Sequence, residues 1–152
     1  MDDDFSIDLV QQADYRFEVR FDNPALPVLV TDENAPLGGD AGPSPSRLLA
    51  AAVANCLSAS LLFALRKFHN DPGTLRAHAR MTLGRNEAQR LRVQRIDVAL
   101  HLGVPAAQLR QLERLLGQFE DFCVVTQSVR AAFPVGVEVF DATGERLHPL
   151  PR

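Results

Sequence analysis

Eighteen consecutive residues, Leu48 to Leu65 (LLAAAVANCLSASLLFAL), carry no charge and lie between Arg47 and Arg66. A run of this kind has to leave water, and two solutions exist. Its length just suffices to span a bilayer. Against a span, Asn55, Cys56, Ser58 and Ser60 interrupt its middle, it leans on Ala rather than on Leu and Ile, and neither flank carries Trp or Tyr. The strand faces elsewhere in the chain also need an apolar partner. The expectation is therefore no membrane, and a helix buried on most sides inside a soluble assembly.

The ends of this helix are marked chemically. In Gly42-Pro43-Ser44-Pro45, the Ser44 hydroxyl can accept from an orphan backbone N–H, and Pro45 suits the first helical position because its missing donor costs nothing there. The helix is predicted to begin near Pro45. It should stop around Phe68, before the turn cluster Asn70-Asp71-Pro72-Gly73, with Arg66 and Lys67 complementing the negative end of its dipole. At 1.5 Å per residue it spans roughly 35 Å, about the width of a small domain.

Upstream, Phe17, Val19 and Phe21 alternate with Glu18, Arg20 and Asp22, the period of a half-buried strand; Ile7 and Leu9 alternate more weakly, suggesting an N-terminal hairpin. Val28 to Val30 reads as a short strand, and Thr31 to Ala41 as a loop rich in Gly, Pro and Asp. Downstream, Leu75 to Leu83 alternates, and a polar connection over Gly84 to Gln89 returns the chain into a second run. In that run Leu91 and Val93 are out of phase with Ile96, Val98, Leu100 and Leu102, so a bulge is predicted near Gln94 and Arg95. Pro105 then opens a helix with Leu109, Leu112, Leu115, Leu116 and Phe119 on one face, and Pro134 to Phe140 forms a last strand. Segregated antiparallel hairpins around helices define an α+β fold, expected as a single domain over residues 1–152, since 152 residues suffice for one ordinary core.

Charge and cysteine content narrow the function. Sixteen Lys+Arg against nineteen Asp+Glu leave a formal charge of -3, without the basic excess that drives phosphate-backbone binding, so no nucleic-acid partner is expected. Two cysteines fit a reducing compartment rather than a disulfide scaffold, and the acidic Met-Asp-Asp-Asp start lacks the regions of a secretory signal; a cytoplasmic location is expected. His69, His78, His101 and His148 are scattered without metal-ligand spacing, and no phosphate loop, dinucleotide fingerprint or nucleophile elbow occurs. Neither a metal nor another cofactor is expected, and His78 and His101 read as solvated strand residues.

Cys56 and Cys123 remain. On residue type alone each reads most simply as a small apolar side chain packed in a helix or under its end. The segments around them say more. Gly42-Pro43-Ser44-Pro45-Ser46-Arg47-Leu48-Leu49-Ala50-Ala51-Ala52-Val53-Ala54-Asn55-Cys56 resembles the signature opening the long central helix of the OsmC/Ohr thiol peroxidases. Cys123-Val124-Val125-Thr126-Gln127-Ser128-Val129-Arg130, with the strand after it, resembles that family's second cysteine segment. The resemblance runs from about Tyr15 to Leu147.

It implies an OsmC-like fold in which an intertwined homodimer packs two long helices between sheets built by both chains. It also implies that Cys56 attacks an organic hydroperoxide and that Cys123 resolves the sulfenic acid by closing a disulfide. An external dithiol, lipoyl-bearing proteins in some family members, then reduces that disulfide. Two departures stand out. Ser46 occupies the helix position of a family glutamate that holds an activating arginine, and no arginine lies between Phe21 and Ser46. Arg20 and Arg47 are the local candidates for that guanidinium. Val124 replaces the proline common after the family's second cysteine. An alternative reading is a non-catalytic OsmC-like protein holding an apolar ligand in the dimer cleft.

Overall fold

The computed structural model describes residues 4–149, so the acidic start Met1 to Asp3 lies outside the described residues. By its contacts the chain forms two compact units, divided within the long helix between Leu49 and Ala50.

The first unit is a three-stranded antiparallel sheet, β1 (Ile7–Ala13), β2 (Arg16–Phe21) and β3 (Leu29–Thr31), in that order. The expected N-terminal hairpin is present and turns at Asp14 and Tyr15, with Asp14 in the left-handed region at φ 47°. The sheet buries little of its own surface. Val19 is buried, whereas all of β1 is exposed, including Ile7, Leu9 and Val10.

The loop after β3 is organised by one carboxylate. Asp32 is buried and accepts from the backbone N–H groups of Glu33, Gly39 and Ala41 at 2.8, 3.0 and 3.1 Å. Those donors hold its carboxyl below the usual range against the cost of burial, with the Ala41 N–H the largest contribution. Glycine is required at Gly42, where a Cβ would come within 2.2 Å of the Val30 carbonyl oxygen. The chain is thereby delivered into α1 (Pro45–Lys67), whose start follows the prediction: the Ser44 hydroxyl accepts from the Arg47 N–H at 3.5 Å.

In the second unit, β4 (Arg76–Arg85), β5 (Leu91–His101), β6 (Val135–Phe140) and β7 (Arg146–His148) form one sheet in that order. Pairing is antiparallel except between β5 and β6, which run parallel because the chain crosses between them through Leu102 to Pro134. The bulge lies where the phase break demanded it: Thr82 pairs with Arg95 and Leu83 with Val93, leaving Gln94 as the extra residue. Beyond the bulge, Ile96, Val98, Leu100 and Leu102 share one buried face with Val135, Val137 and Val139. Val53, Leu57, Leu61 and Leu65 of α1 are fully buried, and burying a leucine of this kind contributes about 2 kcal/mol.

The helix predicted from Pro105 is broken. Its segment contains a 3-10 turn over Ala106–Gln108, α2 (Leu112–Leu116), a 3-10 turn over Phe119–Phe122, and α3 (Val124–Val129). Asn70, buried just beyond α1, explains one break, because its side-chain amide takes both backbone groups of Arg110. Oδ1 accepts from the Arg110 N–H at 2.7 Å, and Nδ2 donates to the Arg110 carbonyl at 2.9 Å. A continuous helix needs both groups for its own ladder. Gln111 then turns into the left-handed region at φ 58°.

β7, absent from the periodicity because it is three residues long, is turned back by Asp141. This buried carboxylate accepts from the N–H groups of Ala106, Thr143 and Glu145 and from the Thr143 hydroxyl at 2.6–3.0 Å. The Thr143 hydroxyl leads in lowering its pKa from the ordinary 3.8 to about 2. A depressed carboxylate pKa stabilises the fold above the unfolded value, and that stabilisation is lost as pH falls toward the folded one. The urea midpoint of Asp141→Asn should therefore lie below wild type at pH 7, and the gap should shrink between pH 4 and pH 2. A gap independent of pH over that range would refute the ionic role of Asp141.

Candidate active site

Helical geometry sets the position of Cys56. Val53, Leu57, Leu61 and Leu65 form the buried stripe of α1, and at 3.6 residues per turn Cys56 falls on the margin of that stripe. It is half-buried, whereas Asn55 and Ala59 beyond the margin are exposed. Cys123 caps the start of α3 from the end of the Phe119–Phe122 turn and is wholly buried.

The fold brings the two together. Both are free thiols, and the fold sets the Cys56 side chain close enough to Cys123 to perturb its titration although 67 positions separate them in the chain. The Cys123 thiol also donates to Thr126 Oγ1 at 2.9 Å. Its pKa is raised, chiefly by burial and then by the neighbouring Cys56 side chain, while the Thr126 hydroxyl and N–H oppose the shift. Of the two sulfurs, Cys56 is the more accessible and Cys123 lies in the drier setting.

The other predicted site residues lie in the unit before Ala50, each with a local partner. Arg20 is exposed and paired with Glu18 on its own strand at 2.9 Å; Arg47 is exposed and donates to the Asn34 side chain. Ser46, in the first turn of α1, is also exposed. His78 and His101 are exposed as expected, with the His101 ring stacked on Phe140 at 5.1 Å. Among the described residues no group of His, Cys, Asp and Glu is arranged to hold a metal ion.

Sequence reasoning missed a charged cluster beside Cys123. One Glu120 carboxylate oxygen accepts from Arg130 Nη2 at 2.5 Å and the other from His148 Nε2 at 2.8 Å. These pairs have sequence separations of 10 and 28 residues. No local motif could reveal them, since β7 itself was not foreseen.

Comparison with known proteins bears on this geometry directly. The family model of OsmC-like proteins matches residues 38–138, a stretch that contains both cysteines. The chain belongs to the OsmC-like family. An OsmC-like protein of unknown function from Vibrio cholerae superposes with a TM-score of 0.75 at 17% identity, covering 90% of this chain and 99% of that one. An organic hydroperoxide resistance protein from Elizabethkingia anophelis gives 0.68 at 18% identity, with 91% and 98% covered. The organic hydroperoxide resistance protein OhrB of Bacillus subtilis gives 0.65 at 16%, with 89% and 98% covered. No curated protein matches the sequence. At these identities the likeness establishes an OsmC-like fold shared with proteins named for hydroperoxide resistance and with others of unknown function.

The difference in burial yields a chemical expectation. Iodoacetamide should label Cys56 of the native, reduced protein at least about tenfold faster than Cys123, as read by peptide mass mapping. Equal rates would show that Cys123 is not shielded.

Proposed function

We propose that this OsmC-like protein reduces organic hydroperoxides with Cys56 as the attacking thiol and Cys123 as the resolving one. The observation that carries the reading is the meeting of two free thiols from distant segments, one half-buried and one wholly buried, at the end of a short helix. The Cys56 thiolate attacks the outer oxygen of ROOH, the O–O bond breaks, and the alkoxide leaves as ROH after taking a proton. Cys56 is left as a sulfenic acid. The Cys123 thiolate then attacks the Cys56 sulfur and displaces hydroxide, which leaves as water, so that a disulfide forms. An external dithiol, of the lipoyl type or another, restores both thiols by exchange and is itself oxidised.

An apolar cleft between α1 and the turn that precedes Cys123 favours a hydrophobic peroxide. Phe63, Phe68 and Phe122 line a shallow cleft with Phe119 at its floor, and Phe63, Phe122 and Val124 are 64%, 63% and 76% exposed. Burying an alkyl tail here contributes about 25 cal/mol per Å². The alternative, a ligand-binding protein without turnover, draws on the exposed Ser46 at the helix start, where the family's glutamate is missing. Arg20 and Arg47 remain the candidates for activating Cys56.

Purified protein with cumene hydroperoxide and dihydrolipoamide separates the readings. Turnover is expected for wild type, at least about 100-fold slower for Cys56→Ser. With the dithiol left out and one equivalent of peroxide supplied, Cys123→Ser should stop at a Cys56 sulfenic acid that dimedone traps, whereas wild type should stop at the disulfide. Wild-type turnover no faster than that of Cys56→Ser would favour the binding reading.

Assembly follows from exposed apolar surface. α1 buries only one stripe, leaving Phe63 and its neighbours open, and β1 is an exposed strand with Ile7, Leu9 and Val10 uncovered. Such surfaces mark interfaces, and an open strand edge invites pairing. The reading is a homodimer, residing in a reducing compartment, with an obligate interface above about 2,000 Å². Light scattering at micromolar concentration should give twice the 16.7 kDa chain mass; a stable monomer would refute the assembly.

A further inference from the structure

The Glu120 cluster holds the Cys123 segment from several sides. Its carboxylate joins Arg130, just past α3, to His148 in β7, and Arg130 Nη2 also donates to the Val135 carbonyl at 2.9 Å. Its backbone carbonyl accepts from the Cys123 N–H at 3.1 Å and from Gln127 Nε2 at 3.0 Å. Glu120 therefore uses both side-chain oxygens and its carbonyl, the last of these on the Cys123 backbone itself.

The three side chains are only 21–28% exposed, and the His148 ring meets the fully buried Phe119 edge-on at 5.5 Å. The Arg95–Asp97 and Arg146–Glu138 pairs, by contrast, are about half exposed and brace only the sheet surface. A partly buried ion pair gains little net stability over an apolar replacement, so its geometric effect is the more informative one. A one-turn 3-10 element followed by six helical residues has almost no stability of its own. Ties to neighbouring elements must set its position.

We propose that Glu120 is a positioning residue for the redox pair. Its carboxylate, clamped by Arg130 and His148, holds the Phe119–Val129 segment so that the Cys123 sulfur stays against Cys56. It thereby sets the effective concentration of one thiol toward the other. This rests on the pairing of Cys56 with Cys123 proposed above. Closure by oxidised glutathione forms the Cys56–Cys123 bond and releases two glutathione thiols for each disulfide consumed, so no peroxide is needed to test it.

Full-length wild type, Glu120→Gln, Glu120→Asp and Arg130→Gln are equilibrated with defined mixtures of reduced and oxidised glutathione. The disulfide fraction read by mass spectrometry gives the effective concentration. Glu120→Gln and Arg130→Gln are expected to lower it about tenfold, and Glu120→Asp to recover at least half of the wild-type value. Dimedone trapping in a Cys123→Ser background should show Cys56 sulfenylation by cumene hydroperoxide unchanged within twofold by Glu120→Gln. If Glu120→Gln fails to fold, Arg130→Gln and His148→Asn carry the same measurement. An effective concentration unchanged in the folded variants refutes the positioning role alone. A wild-type protein that forms no Cys56–Cys123 disulfide refutes both this inference and the thiol-peroxidase reading. Sulfenylation that falls in parallel with the effective concentration would indicate general damage to the site and also overturn the role.

Discussion

Burial of the α1 stripe governs the rest of the larger unit. Once Val53, Leu57, Leu61 and Leu65 are withdrawn from water, the rotation of the helix about its axis is determined. Cys56 then sits at the margin of the stripe, wet enough to be reached and close enough to the interior to meet Cys123. Asn70 reinforces the arrangement at the end of the helix by tying the chain to Arg110.

The proposed chemistry depends on the difference between the two sulfurs. A wholly buried thiol with a raised pKa is a poor first nucleophile, because its charged form lacks hydration. The same burial suits the resolving step proposed for Cys123, in which a thiol acts on one neighbour and on nothing from solution. Thr126 moderates the effect by offering a hydroxyl at 2.9 Å. Its place three residues after Cys123, at the start of α3, makes that contact a product of local helical spacing.

Fold and family are matters on which the chain is explicit. Proteins of the same fold include some named for organic hydroperoxide resistance and others of unknown function, so architecture alone does not choose among activities. Ser46 departs from the family pattern, and Arg20 and Arg47 have partners of their own in Glu18 and Asn34. The sharpest functional statement therefore rests on the cysteine pair and the segment that carries Cys123.

Much of this was legible in the residues themselves. The limits of α1 follow from Ser44-Pro45 at one end and Asn70-Asp71-Pro72-Gly73 at the other, and the bulge at Gln94 follows from a phase break in alternating hydrophobicity. These are local properties, encoded within one or two turns or a few strand residues. Tertiary structure alone decided the break at Arg110, the parallel pairing of β5 with β6 and the short β7. It also decided the Glu120–Arg130–His148 cluster and the contact between Cys56 and Cys123. Each of these joins groups whose attraction appears only after distant segments have folded, and no period or motif in the chain records which partner a buried amide, carboxylate or thiol will find.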